Sequence, residues 1–355
     1  MKKTILGLAA LSLLACEKDN EPNTPTSGKT YETGVFISNE GVFGSGVSTL
    51  SHMDYASGSL TKTAFFDKNA FNLGDVFQSM TIADNKAYMV INNSGIIEIA
   101  NATTLESLGQ VSGISSPRHM VVNGNTGYVS DWGDDAVKIV DLSTNSVTGS
   151  IPVGLDPENM LIHNNMLIVT NSGGGEFAPA LPDSTISVID LATNTELQKI
   201  HVGRTPNSLQ LDAQNNLWVL CAGFSDWSGA VPNTAGKLVK VDLNAWTTDE
   251  FEFPTTNDHP AHLKINGDKS KLYFLGNNYG GPLFEMNTTA TALPSSPLVN
   301  KSFYGLGIHP TTNQIYCGFS PAFDQDGFAF RYESNGMLID SVSVGIGPNG
   351  FTFLD

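Results

Sequence analysis

Seven histidines are the first residues to weigh for chemistry: His52, His119, His163, His201, His259, His262 and His309. They are scattered along the chain, and only "HPAH", His259 to His262, brings two close together. In an extended segment residues three apart face opposite sides, so this pair does not read as a shared metal site. "DQDG", Asp324 to Gly327, opens like a calcium loop but lacks the later glutamate and its spacing, and reads as an acidic turn. No GxSxG element or phosphate-cradling glycine loop follows a strand and opens a helix. An activated nucleophile or a set of convergent metal ligands is what catalysis would need. The chain is therefore read as a non-enzyme with no metal and no cofactor.

Binding chemistry remains. Two groups of residues suit it. One is aromatic: Phe177, Phe224, Trp227, Tyr279, Phe319 and Phe323, with Phe43 and Trp132. The other is polar: Gln78, Arg118, Asn159, Asn207, His259, Tyr304 and Asn349, with Asn39, Asn92, Asn93 and Asn171 nearby. Exposed aromatics beside amides fit a broad ligand with a flat, partly apolar surface and a hydrogen-bonding edge. The alternative is structural. The aromatics would then pack their own loops, Arg118 would donate to carbonyls of a neighbouring repeat, and Asn159 and Asn207, at matching positions, would be scaffold.

The elements that must position these residues are written as a repeat. Gln78-Ser-Met-Thr-Ile, Pro117-Arg-His-Met-Val, Glu158-Asn-Met-Leu-Ile, Pro206-Asn-Ser-Leu-Gln, Pro260-Ala-His-Leu-Lys, Phe303-Tyr-Gly-Leu-Gly and Pro348-Asn-Gly-Phe-Thr begin successive units. Each full unit continues with a turn, a run such as "KAYMV" or "NLWVL", a third such as "AVKIVDL", and a fourth. Four β-like runs in about forty-five residues are the signature of a propeller blade, because one such sheet cannot bury both its faces alone. The last unit holds only its first strand, whereas the folded part begins at Gly34 with a second strand. "NGFTFLD" should thus be the innermost strand of a blade whose outer strands lie near 34 to 39, 47 to 54 and 59 to 66. The predicted fold is all-β: a seven-bladed β-propeller of four-stranded blades, closed by the C-terminal strand completing the N-terminal blade.

In such a ring, the loops leading into the innermost strands and those joining second to third strands meet on one face. That places both residue groups around a single rim. Blades four to seven carry the long inserts "NSGGGEFAPALPDS", "CAGFSDWSGAVPNTAG", "GNNYGG" and "FSPAFDQDG" there. Cys221 and Cys317 occupy what read as equivalent strand-end positions and are expected to be buried, unpaired thiols.

Ahead of the repeat, residues 1–15 read as an address. Lys2 and Lys3 precede an apolar stretch, Ile5 to Leu14, too short to span a bilayer, and Leu13-Leu14-Ala15-Cys16 follows. This tetrapeptide resembles the lipobox of bacterial lipoproteins, which implies lipidation at Cys16 and a membrane anchor there. Residues 16–30 then read as a lipidated flexible tether, and 31–355 as one propeller domain. Acidic residues directly after Cys16 resemble a surface-export signal of outer-membrane lipoproteins, implying an outer-membrane location facing the exterior. Loss of residues 1–15 removes two lysines and takes the formal charge from −17 to −19. Such a molecule repels polyanions, so nucleic acid is not an expected partner, and no basic patch for an anionic ligand is evident.

The repeat is similar to YVTN-type propellers over nearly all of the mature chain. "FISNEGVFGSGVSTLSHMD", "FNLGDVFQSMTI", "MVINNSGIIEI", "ISSPRHM", "RTPNSLQLD" and "VGIGPNGF" narrow the likeness to YncE-like seven-bladed surface lipoproteins. That group includes vitamin B12 capture proteins that cap TonB-dependent outer-membrane transporters. The resemblance implies capture of cobalamin or a related corrinoid, whose neutral amide periphery Asn, Gln and backbone groups can match. A protein- or glycan-binding interaction propeller is the alternative function.

Overall fold

The computed structural model describes residues 28–173, 182–226 and 229–354. Seven four-stranded antiparallel sheets stand in a ring. Blade 1 is composite: its inner strand Pro348–Leu354 pairs with Gly34–Asn39, followed outward by Thr49–Met53 and Leu60–Thr61. Blades 2 to 7 follow in chain order at 77–111, 117–152, 157–201, 206–252, 261–303 and 305–343. The composite blade is as the repeat requires, with one difference at its edge. The run near 59 to 66 is strand only at Leu60–Thr61, and the chain then turns into a short helix, Ala64–Asn69. The helix sinks Ala64 and Phe65 into the core, which an outermost strand in contact with solvent could not do.

The apolar core lies between blades, not on the axis. Seven clusters each join two neighbouring sheets among the described residues. Tyr88, Val90, Ile97 and Ile99 of blade 2 meet Met120, Val129 and Val140 of blade 3 in one of them. Middle strands are therefore covered on both faces, and their runs are apolar without alternation: "KAYMVI" is buried at five of its six positions. Outer strands reach water on one face and alternate, as "TELQKIH" does. The seventh cluster joins Tyr316 and Ala329 of blade 7 to Val35, Ile37 and Met53 of blade 1, so the composite blade closes the ring.

The inner strands leave their axial edge without a sheet neighbour, and side chains cover it. Ser79 Oγ donates to the Arg118 carbonyl at 2.7 Å and Thr81 Oγ1 to that of Met120 at 2.7 Å. Asn207 Nδ2 and Gln210 Nε2 serve Pro260 and Leu263 of the next blade at 2.8 and 3.1 Å. Buried backbone carbonyls need such partners. Here they come from the preceding blade.

Candidate functional site

Six of the seven inner strands carry a β-bulge in their register against the second strand, as between Phe77 and Ser79, Pro117 and Met120, and Ala261 and Lys264. A bulge adds a residue to one strand and re-aims its side chains. It sits at the start of the strand and turns two successive residues toward the axis. The lead-in is also unusual in backbone: Val76, Asp156, Thr205 and Gly347, each just before an inner strand, have φ of 63°, 46°, 55° and 64°. For β-branched Val76 and Thr205 that left-handed conformation is strained, and such strain gathers where a surface is being shaped.

Corresponding positions on the seven blades form stacked rings. The first, at the mouth, is Asn349, Gln78, Arg118, Glu158, Asn207, Ala261 and Tyr304; all seven line one axial cavity of about 640 Å³. Below them lie Gly350, Ser79, His119, Asn159, Ser208 and His262, and deeper still Lys264 and Thr352. Glu40, Phe43, Asn92, Trp132, Tyr279 and Phe323 come from the loops between second and third strands and complete the wall.

The first ring is tied to itself. Arg118 donates to Gln78 Oε1 at 2.7 Å and grips Glu158 with Nε and Nη2 at 2.9 and 3.0 Å. Its guanidinium also lies 3.8 Å from the Trp132 ring centroid. His119 Nε2 stands 3.3 Å from Glu158 Oε1, the oxygen that Arg118 Nη2 also reaches. Burial alone would raise the Glu158 carboxyl, but Arg118 and His119 override it and hold the pKa at about 2. Across the ring, Tyr304 Oη and Asn349 Nδ2 donate to Glu40 at 2.8 and 2.9 Å. Burial nonetheless pushes Glu40 up, and the same burial, with Glu40 beside it, pushes Tyr304 up. Burial and the neighbouring Lys264 hold His262 neutral, with a pKa of about 4.

Most of the sequence-predicted residues meet in this cavity: Phe43, Gln78, Asn92, Arg118, Trp132, Asn159, Asn207, Tyr279, Tyr304 and Phe323 line it. Five others turn elsewhere. His259 points back into blade 5, its ring against the Ala222 carbonyl at 2.8 Å and Ser225 Oγ at 2.9 Å, while His262 takes the inward place. Phe224 is held in a bridge to Thr234 and lies beside Arg204. Phe319 packs on Phe328 and Phe330 in blade 7. Asn39 and Asn171 are fully buried, their amides tying strands within a blade. Phe177, Trp227 and Cys16 lie outside the described residues. Arg118 does link neighbouring blades, but through the side chains of Gln78 and Glu158 and not through carbonyls. Asn207 and Asn349 do serve carbonyls of the next blade. Cys221 and Cys317 are buried and free, yet at unlike places: Cys221 ends its strand and Cys317 lies in the middle of one.

Sequence reading missed Glu40, Glu158 as a ring member, His119, His262 and Lys264. Four of these five lie in the repeat starts already aligned: Glu158 opens one, His119 and His262 stand two residues after Pro117 and Pro260, and Lys264 stands four after Pro260. Among the described residues no three His, Cys, Asp or Glu gather as a metal site. The cavity hydroxyls of Ser79, Ser172 and Ser208 donate to protein oxygens and none is bonded to a histidine.

Seven four-stranded blades around an axial cavity define a β-propeller. The chain belongs to the family described as a domain of unknown function, DUF5074, whose pattern matches residues 33–343. No curated protein matches it. Among solved structures it is similar to a quinonprotein alcohol dehydrogenase-like protein from Bacteroides thetaiotaomicron VPI-5482, at 14% identity and TM-score 0.70, over 92% of this chain and 80% of the other. It also resembles Kuenenia stuttgartiensis hydrazine synthase, at 16% identity and TM-score 0.60 over 77% and 88%. A third is a candidate 6-phosphogluconolactonase from Bacteroides uniformis ATCC 8492, at 12% identity and TM-score 0.65 over 91% and 100%. Identities this low show a shared fold and carry no function.

Proposed function

We propose that this chain is a non-enzymatic capture propeller, anchored to the outer membrane through Cys16, that holds cobalamin or a related corrinoid at the axial cavity and passes it to a TonB-dependent transporter. One observation carries the reading. The cavity joins amide side chains, Gln78, Asn92, Asn207 and Asn349 at its mouth and Asn159 below, to aromatics that stand free of the body of the protein, Phe43 at 77% and Tyr279 at 82% exposure. Exposed aromatics gathered at the rim of a cavity mark a ligand-binding or interaction surface. A corrin ring laid across this mouth sets its flat apolar face on Phe43, Tyr279 and Phe323 and its amide edge over the polar ring. The neutralised Arg118–Glu158 pair beneath asks for no counter-charge.

Enzymatic names among the structural neighbours do not argue against this reading, since hydroxyls donating to protein oxygens are not activated nucleophiles. The alternative, a protein- or glycan-binding module, draws on the exposed Val42, Phe43, Val47 and Phe71 around blade 1. Isothermal titration with cyanocobalamin, against heme and a ferric siderophore, decides between them. One-to-one binding of cyanocobalamin alone is the expected result. Tyr279→Ala and Phe323→Ala should each weaken it by about 1 kcal/mol or more without lowering the melting temperature. Absence of heat with cyanocobalamin overturns the reading.

A further inference from the structure

Lys264 is the only charged side chain in the third ring, where the other blades place Thr352, Thr81, Val121, Leu161, Gln210 and Gly307. Thr81 and Gln210 spend their polar groups on carbonyls of the next blade. Lys264 makes no such bond among the described residues, and its side chain lines the cavity floor. The nearby carboxylates are committed: Glu158 to Arg118 and His119, Glu40 to Tyr304 and Asn349. Lys264 is half-buried in the channel wall, and that burial, with no charged neighbour to offset it, depresses its pKa. A half-buried ammonium without an anion is expensive to keep. A floor of this kind is complete only with a ligand oxygen upon it.

We infer that the floor of the axial cavity is an anion subsite, in which the Lys264 ammonium receives a carboxylate or phosphate oxygen of the bound ligand and the neutral His262 ring above it supplies a second donor. The inference rests on the axial cavity being the ligand site, and it adds what the mouth does not: a preference for ligands with one anionic group among many neutral ones. Strong negative charge on the molecule as a whole weakens the hold on a free anion, so the subsite binds its group most tightly as part of a larger ligand held at the mouth. In a corrinoid the matching group is the phosphodiester of cobalamin, which cobinamide lacks.

Titration of the full-length protein at low ionic strength tests this with inorganic phosphate, acetate, cyanocobalamin and dicyanocobinamide. Phosphate or acetate should bind saturably at one site, the tighter of the two naming the group. Lys264→Met should weaken that binding about tenfold or more, and Lys264→Arg should retain it. Lys62→Met, which removes a surface ion pair, should change it less than about twofold. Equal anion binding by wild type and Lys264→Met, or none by wild type, overturns the subsite. Anion binding lost in Lys264→Met while cyanocobalamin fails to bind upholds the subsite and sinks the corrinoid reading. Cyanocobalamin binding unchanged by Lys264→Met, and no tighter than that of dicyanocobinamide, does the reverse. Should Lys264→Met fail to fold, trace acetylation of the wild type read by mass spectrometry decides the matter: phosphate must protect Lys264, and lack of protection refutes the subsite.

Discussion

The Arg118–Glu158 pair shows what single residues contribute here. Both side chains are mostly enclosed, at 15% and 10% exposure, and each satisfies the other with two charge-assisted bonds. Glu158→Gln leaves the guanidinium half paired in a dry wall and should cost about 3 kcal/mol in urea unfolding, more than surface pairs such as Lys237 with Glu250 are worth. The pH dependence follows from the same ring. Glu158 titrates at about 2 against an ordinary 4.5, so its stabilisation is complete above pH 4.5 and lost as pH falls through 2. His262 is depressed from 6.5 to about 4, so the unfolded chain takes up its proton first, and stability drains as pH falls from 6.5 through 4. Lys264 on its own strand, Glu158 of blade 4 and His119 of blade 3 are the charged or titratable groups acting on it. His262→Gln should flatten that upper limb, by up to about 1.4 kcal/mol per pH unit, and leave the limb below pH 4 in place. Urea midpoints at pH 7, 5.5 and 4 measure both.

At the scale of the element, the inner strand explains which parts of the site were legible. Repeat starts such as Pro117-Arg-His-Met-Val and Pro206-Asn-Ser-Leu-Gln located the strands and the first residues facing the axis, because sequence spacing survives folding there. What spacing alone does not reveal is the bulge, which brings His262 inward while His259, three residues earlier, turns back into blade 5. Loop tips were harder still. Phe43 and Tyr279 stand out from the surface, but Phe319 and Phe224, read the same way, are held in blade packing and a loop bridge. Amides divide likewise: Asn349 was read as ligand-facing and also carries a scaffold role, with Nδ2 bonded to Glu40 and to the carbonyls of Phe77 and Gln78. Asn349→Ala removes these links between the closing strand and blade 2 and should cost about 2 kcal/mol, read as a lower denaturant midpoint with an unchanged slope.

Closure governs the molecule as a whole. The ring closes where Pro348–Leu354, which the chain brings in directly from blade 7, pairs with Gly34–Asn39, and glycines of blade 7 allow that strand its close approach. A Cβ at Gly318 would stand 2.0 Å from the Pro348 carbonyl oxygen, and one at Gly305 2.6 Å from it. Both opposing atoms are backbone, so neither can swing aside as a side chain would. Gly318→Ala must push Pro348–Leu354 away from blade 7, loosening Phe351 and Phe353 from Tyr316 and breaking the hydrogen-bonded mouth at Tyr304, Glu40 and Asn349 together. Overpacking of this sort costs about 1–3 kcal/mol in a single core, and here it displaces the strand whose pairing with Gly34–Asn39 closes the ring. We expect Gly318→Ala to lower the thermal midpoint and to broaden the transition, as blades near the joint unfold before the rest. Gly44→Ala, where a Cβ meets nothing within 4 Å, controls for loss of glycine itself, although its φ of 79° carries a small backbone strain. Hydrogen exchange then separates the possibilities: faster exchange confined to blades 7 and 1 identifies the joint as the weak point, whereas uniform acceleration around the ring would show that closure is shared equally by all seven interfaces.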